Sequence, residues 1–356
     1  MCGGPDPTEW RLRADVPRSS MTFGSVTRVS SGENERSGIS GLKWLQYAVT
    51  AALLLGLLWF VDLGAVAEAA LQADPVWLLA AVGCVLLARL AVTFRWRQLL
   101  AVSGHPTDFR HLFRVVSAGM GLGALLPTSV GPDVARGVLL ARAGEAPVGS
   151  GLVVASLLLD RYAATVGTLI VAAVGALLMG YTWLALGLAA VILGVAAATV
   201  LAMAMAERVL PLATPGPLKK LRPKLAAFVE RLRAPGMVRR GLVPAILIST
   251  LMTVARTGIF ICLYAGLGHP VPVGLALFAI PLMLIALMAP VTVGGFGVRE
   301  WVLVVSFQDL GIPPEVSVSV GILAFALQLA GSAPAILRIM IQRLARPRAI
   351  AEGADQ

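Results

Sequence analysis

The sequence predicts an all-α polytopic membrane protein with about six full transmembrane helices and two broken or re-entrant helical segments that belong to an inverted repeat. Three observations carry that prediction. Hydrophobic residues make up 58% of the 356 positions, charged residues only 13%, and mean hydropathy is +0.84; in ordinary soluble domains charged residues approach a quarter. A short pattern occurs twice, as Leu126-Pro127-Thr128-Ser129-Val130-Gly131 followed by Arg136, and as Ala289-Pro290-Val291-Thr292-Val293-Gly294 followed by Arg299. Stretches rich in Arg and Lys also alternate with stretches that contain neither.

Residues 1–42 mix Pro, Gly, Ser and both charge signs and read as a disordered cytoplasmic leader. They lack the short apolar core of a cleavable signal peptide, and Met21 offers an alternative start. The membrane portion follows over residues 43–345. A bilayer core of roughly 30 Å takes about 20 apolar residues in a helix. Runs of that kind cover Trp44–Val61, Val76–Phe94, Gly149–Met179, Trp183–Ala206, Leu242–Leu267 and Val316–Ile341. Phe113–Leu126 and Val273–Ala289 are shorter or end in the repeated pattern, and mixed segments follow them, Pro127–Leu140 and Pro290–Val305. Each pair is expected to enter the membrane, break and return, a complete crossing being the alternative. Pro127, Gly131, Pro290, Gly294, Gly295 and Gly297 mark the breaks, because Pro and Gly interrupt a helix. Non-helical backbone at that depth must be enclosed by protein or line a wet cavity.

Basic residues set the orientation. Six lie in Arg11–Lys43, four in Arg95–Arg114, nine in Glu207–Gly241 and four in Arg338–Arg348, against none in Asp62–Asp74, Gly180–Thr182 and Gly268–Pro272. Positive residues concentrate on the cytoplasmic side, so a plasma-membrane protein with both termini in the cytoplasm, including a tail over 346–356, satisfies every count. The first broken segment then enters from the cytoplasm and the second from outside. Three full spans separate them, an odd number, which gives them opposite orientation. Within the 207–241 loop, Leu218, Leu221, Leu225, Phe228 and Leu232 share a helical face opposite Lys and Arg, fitting either a helix on the membrane surface or a solvated loop. The formal net charge of +10 thus reports topology, and no aromatic interleaving suggests a nucleic-acid partner.

Ionisable residues inside a membrane are functional-site candidates by default. Asp133 and Arg136 are three apart, hence on one face of a helix after the first break. They read either as a structural ion pair or as an Arg ready to exchange its partner for a lipid phosphate. Arg299 and Glu300 follow Gly294-Gly295-Phe296-Gly297, whose glycines suit positive φ, close packing or amide contacts to an anion. Asp160 and Arg161 lie inside the third full span; Arg161 can pair with Asp133, or Asp160 with Arg136. Arg256, in the fifth span, is a candidate phosphate ligand, and the hydroxyls of Ser129 and Thr292 complete the set. Arg95 and Arg97, flanking Trp96, read as an interfacial anchor that closes the second span in preference to ligands. Gly119, Gly121 and Gly123 have the spacing of close helix contact.

No cofactor, metal or catalytic residue is expected. His105, His111 and His269 have no ligand spacing, Cys84 and Cys262 fall in apolar runs, and Cys2 is in the leader, so neither a zinc site nor a disulfide framework is implied. No Walker A sequence, nucleophile elbow or HExxH occurs.

Three segments in order, LLPTSVGPDVARGVLLAR, SLLLDRY and PVTVGGFGVREWVLV, resemble the lysylphosphatidylglycerol synthase transmembrane region, also called the flippase-like domain family, over about residues 40–345. The resemblance implies a membrane domain that moves an aminoacylated phospholipid between leaflets, with a separate soluble domain making the lipid. No synthase domain is read here, so aminoacyl transfer is not expected. Where many relatives have Gly-Gly-Asp, this chain has Gly131-Pro132-Asp133. Pro132 removes an amide donor and restricts Gly131, which shifts the expected anion contact from the backbone to Arg136.

The leading expectation is a lipid flippase-like transporter whose partner is a membrane lipid, anionic or phosphate-containing. Arg136 and Arg299, with Arg161 or Arg256, would engage the phosphate, and Asp133, Asp160 and Glu300 would neutralise the arginines when no lipid is bound. Transport without an ATP site would be equilibrative, ion-coupled or driven by a partner. One alternative is a non-transporting scaffold that docks a cell-envelope enzyme; another is a membrane lipid or glycosyl transferase.

Overall fold

The computed structural model describes residues 55, 64, 68, 71–124, 131–142, 150–212, 236–288, 292 and 295–345. The chain divides into two units, Met1–Leu42 and Lys43–Gln356. The first lies outside the described residues, as do the tail 346–356, the amphipathic stretch 218–232 and, apart from Leu55, the span expected at 44–61. The described elements are all helical: α1 (Pro75–Val102), α2 (Phe109–Ala124), α3 (Gly131–Arg142), α4 (Ser150–Leu178), α5 (Thr182–Leu212), a π-helical turn (Met237–Leu242) running into α6 (Val243–Gly266), α7 (Val273–Ala286), α8 (Val298–Phe307), α9 (Pro314–Ala330) and α10 (Ala333–Ala345). Among the described residues, five segments are long and apolar enough to cross a membrane: Pro75–Val102, Ala155–Leu178, Thr182–Leu201, Met237–Gly266 and Pro314–Ile341. They correspond to five of the six expected spans.

Local chemistry sets the ends of α1. Asp74 Oδ1 accepts the Val76 N–H at 2.8 Å, and Pro75 occupies the first turn, where its missing donor costs nothing. Asp74 N–H also donates to Gly266 O at 2.9 Å, tying the start of α1 to the end of α6. From there the two helices run antiparallel: Gly266 packs on Trp77, Gly258 on Cys84, and Arg95 bonds Ser249. α1 continues past the expected end at Phe94 to Val102, so Arg95 and Trp96 sit well inside a helix rather than at its edge.

The apolar core is divided along this helix pair. At one end Ala81 and Val85 pack with Ile259, Leu263 and Tyr264 of α6, Ile280 and Met283 of α7, and Phe307 of α8. Toward the other end Val92, Trp96 and Leu100 pack with Leu112 and Val116 of α2, Leu140 of α3 and Met252 of α6. α4 crosses α7 at Gly175, where an added Cβ would collide with the Leu277–Phe278 backbone.

The first repeated pattern lies between α2 and α3, which form an antiparallel hairpin. A Cβ on Gly123 would collide with the Pro132 backbone, and one on Gly119 would lie 2.8 Å from Arg136 N. Four-residue steps in opposite directions along the two helices define that register. Gly121 faces the other way, with its Cβ position 2.5 Å from Ser332 Cβ. The three glycines therefore provide close contact on two faces of α2. Gly131 and Pro132 open α3; a first-turn N–H has no intrahelical partner, so Pro132 fits the helix start without breaking it.

The second pattern precedes α8. Gly295 and Gly297 adopt φ of 77° and 84°, a region that favours glycine. Pro127, Ser129, Pro290 and Gly294 lie outside the described residues.

One expected span differs from a single continuous helix. α9 stops at Ala330 and α10 restarts at Ala333, across a turn at Gly331-Ser332. Pro334 supplies no N–H and its ring opposes the carbonyl four residues back, which interrupts the helical ladder. Arg89 of α1 takes up carbonyls released there, donating to Gly331 O at 2.8 Å, Gln328 O and Ser332 Oγ at 2.8 Å.

Candidate functional site

Three helices join charged side chains in one ion-pair network, and a fourth brings an arginine to the face whose Ser249 and Met252 contact Arg95. α1 contributes Arg95, α3 contributes Asp133 and Arg136, α4 contributes Asp160 and Arg161, and α6 contributes Arg256. The helical spacing expected of Asp133 and Arg136 gives an ion pair at 2.9 Å. Both alternatives left open for α4 occur together: Asp160 pairs with Arg136 at 2.5 Å, and Asp133 pairs with Arg161. Asp160 additionally receives Arg95 through both carboxylate oxygens, at 2.6 and 3.0 Å, the two-point geometry in which a guanidinium binds a carboxylate most strongly.

The network is graded from sealed to open. Side-chain exposure is 1% for Asp160, 4% for Arg95 and 5% for Arg136, but 20% for Asp133 and 29% for Arg161. Beneath it, Trp96 stacks under the Arg136 guanidinium at 5.0 Å and donates its indole N–H to Ser156 Oγ at 3.2 Å. The reading of Arg95 and Trp96 as an interfacial anchor is therefore corrected for both: each is buried. Arg97 is exposed and donates to Thr107 O at 3.2 Å.

Donors remain inside. Arg136 Nε and Thr257 Oγ1 are buried without a hydrogen-bond partner among the described residues. Arg256, beside Thr257, is half-buried and makes no hydrogen bond or ion pair there. It follows Ser249 and Met252 on one face of α6, and those two contact Arg95 at 2.9 and 3.6 Å.

Arg299 and Glu300 form a separate arrangement at the start of α8. Arg299 donates to Glu300 Oε1 through Nε at 2.9 Å and Nη2 at 2.5 Å, while Glu300 Oε2 accepts the Gly297 N–H at 2.8 Å. The guanidinium lies 5.5 Å from the Phe296 ring and 5.4 Å from the Phe325 ring. Glu300 thus cancels the charge of Arg299 and caps the helix that carries both. Thr292 is buried, and no hydrogen bond among the described residues links it to this pair. No hydrogen bond or ion pair among the described residues joins this pair to the Asp160 network.

Arg89 is the residue that sequence reasoning missed, and Arg95 was placed at the interface in preference to a ligand role. A signal was present for each, since an Arg well inside a long apolar helix is a candidate on its own. For Arg95, the adjacent Trp96 and Arg97 imitated a helix boundary.

The family model described as Lysylphosphatidylglycerol synthase TM region matches residues 43–335. No curated protein gives a significant match.

Proposed function

Since the chain belongs to the lysylphosphatidylglycerol synthase TM region family, we propose that it is a lipid flippase-like transporter, not an enzyme, carrying a phosphate-bearing lipid between leaflets. One observation carries this reading: among the described residues Arg95, Arg136 and Arg161 have only the two carboxylates of Asp133 and Asp160 as acidic partners, and Arg256 has none. Removing an ion from water costs several kcal/mol even after relaxation. The anionic group of one lipid would offset that cost by supplying negative charge the protein lacks.

The open end of the network is the natural point of approach. A head group arriving there competes with Asp133 for Arg161 and Arg136, while Asp160 keeps Arg95 in position. Arg136 Nε and Arg256 supply donors that no described residue uses. The acyl chains stay in lipid, so only the polar head needs a route, and two oppositely oriented helix breaks of an inverted repeat would provide it. Arg299, already neutralised by Glu300, holds the second break in shape. The protein sits in the plasma membrane with both termini cytoplasmic, and its transport is equilibrative, ion-coupled or partner-driven.

Leaflet exchange of NBD-labelled phosphatidylglycerol in proteoliposomes, read by dithionite quenching, tests the proposal. Arg136→Ala and Arg161→Ala should each slow exchange about tenfold or more, from the roughly 1.5–3 kcal/mol of a hydrogen bond to a charged group. Wild-type exchange no faster than in empty vesicles, or unchanged rates in both variants at equal protein content, would overturn it. The latter result would favour a scaffold in which these arginines only stabilise the fold.

A further inference from the structure

A second basic site lies on the outer surface of the helices, apart from the buried network. A cavity of about 530 Å³ is lined by Leu90, Phe109, Arg110, Phe113, Arg114 and Arg338. Two of the basic stretches identified in the sequence meet here, Arg110 and Arg114 from α2 and Arg338 from α10. None of the three forms an ion pair among the described residues. Asp108 is the adjacent acidic residue in the chain, but its carboxylate accepts the His111 N–H at 2.9 Å. That bond holds its pKa below the usual carboxylate value, with Arg110 and Arg97 adding to the effect.

The apolar side of the cavity is equally organised. Phe94, Phe109 and Phe113 follow one another, with ring centroids 4.6 Å and then 6.2 Å apart. Outside the lining, Phe94 is 50% exposed, and Leu337, Met340 and Ile341 on α10 are 59%, 55% and 57% exposed. Aromatic rings with arginines beside exposed aliphatic side chains are the composition of a membrane interface. An inorganic anion would use the arginines and leave the rings idle, whereas a phospholipid uses both.

We propose that this cavity binds an anionic phospholipid, phosphatidylglycerol in type, with its phosphate among Arg110, Arg114 and Arg338 and an acyl chain along Leu90, Phe109 and Phe113. Basic pockets between helices on the cytoplasmic side are suited to such head groups. Both contributing stretches are also the ones that the positive-inside rule assigns to that side. The bound lipid would brace α10 against α2, the same contact that Gly121 makes with Ser332 and Ile336. It would remain in place while a different lipid moves through the Asp160 network.

Native mass spectrometry of the purified full chain, stripped of lipid and titrated with phosphatidylglycerol, tests the assignment. An Arg136→Ala/Arg256→Gln variant serves as background, so that a bound lipid at the buried network does not obscure the result. One phosphatidylglycerol adduct should persist in that background. Adding Arg338→Gln should weaken it about fivefold, the effect of one cation beside an anionic head group, and Arg338→Lys should restore it. Arg110→Gln/Arg114→Gln/Arg338→Gln should abolish it; Arg338 is exposed, so its single variant keeps the test valid if the triple variant misfolds. Adduct strength unchanged by Arg338→Gln would overturn the proposal, as would equally tight phosphatidylcholine. Displacement by inorganic phosphate at matching concentration would also overturn it, because the site would then hold an anion without regard to lipid.

Discussion

Replacing Asp160 with Asn keeps the side chain's size and removes the negative charge that two buried arginines share. Arg95 binds both carboxylate oxygens at 2.6 and 3.0 Å, and Arg136 lies 2.5 Å from Oδ2. With side-chain exposures of 1–5% across the three, water cannot take over. Removing one partner of a buried ion pair costs about 3–5 kcal/mol. Among the described residues Arg95 loses its one acidic partner while Arg136 keeps Asp133 at 2.9 Å, and the new amide NH2 would face one of the two guanidinium groups, so a loss within that range is expected. Thermal unfolding of the purified full chain in one detergent, followed by tryptophan fluorescence, measures the loss. An Arg95→Gln/Asp160→Asn double variant should recover about 1–3 kcal/mol relative to additivity, the coupling typical of residues in one network. Stability of Asp160→Asn within about 1 kcal/mol of the parent, or strict additivity in the double variant, would refute the reasoning.

Arg89→Gln should destabilise the chain by about 2–4 kcal/mol, because bonds from a charged donor to the α9–α10 turn are lost; susceptibility of that turn to proteolysis should rise in parallel. Gly119→Ala places a methyl 2.7 Å from Arg136 Cβ and should cost about 1–3 kcal/mol by overpacking. Gly187→Ala, with nothing within 4 Å of the new methyl, should be neutral or stabilising by up to about 1 kcal/mol in the same unfolding measurement. Asp133→Asn removes the carboxylate that competes for Arg136 and Arg161, so phosphatidylglycerol should bind about tenfold more tightly, read by titration in native mass spectrometry; weaker binding would contradict the competition.

Much of the fold was legible because hydropathy reports burial in lipid directly. Five spans and both helical pairs around the breaks follow from it. The Asp133–Arg136 pair was legible from helical spacing alone, since it lies within one turn. Pairings between helices were not, because Asp160 could be given several partners until α1, α3 and α4 were packed together. Arg95 was misjudged for a related reason: its helix continues to Val102, and a sequence reading that ends the span at Phe94 puts it at the edge. The turn at Gly331 was hidden by apolar residues on both sides, although Pro334 was its local cause. The glycines of α2 could be read as contact residues, but only the packed helices distinguish Gly119 and Gly123, facing α3, from Gly121, facing Ser332.

The central claim is that uncompensated positive charge draws a lipid phosphate to the Asp160 network, and Arg256 tests it most directly because no described carboxylate neutralises it. Leaflet exchange of NBD-labelled phosphatidylglycerol should fall about tenfold in Arg256→Gln, as expected from losing one charged donor, and stay near the wild-type rate in Arg256→Lys. Exchange at the wild-type rate in Arg256→Gln, with equal protein in the vesicles, would contradict the account.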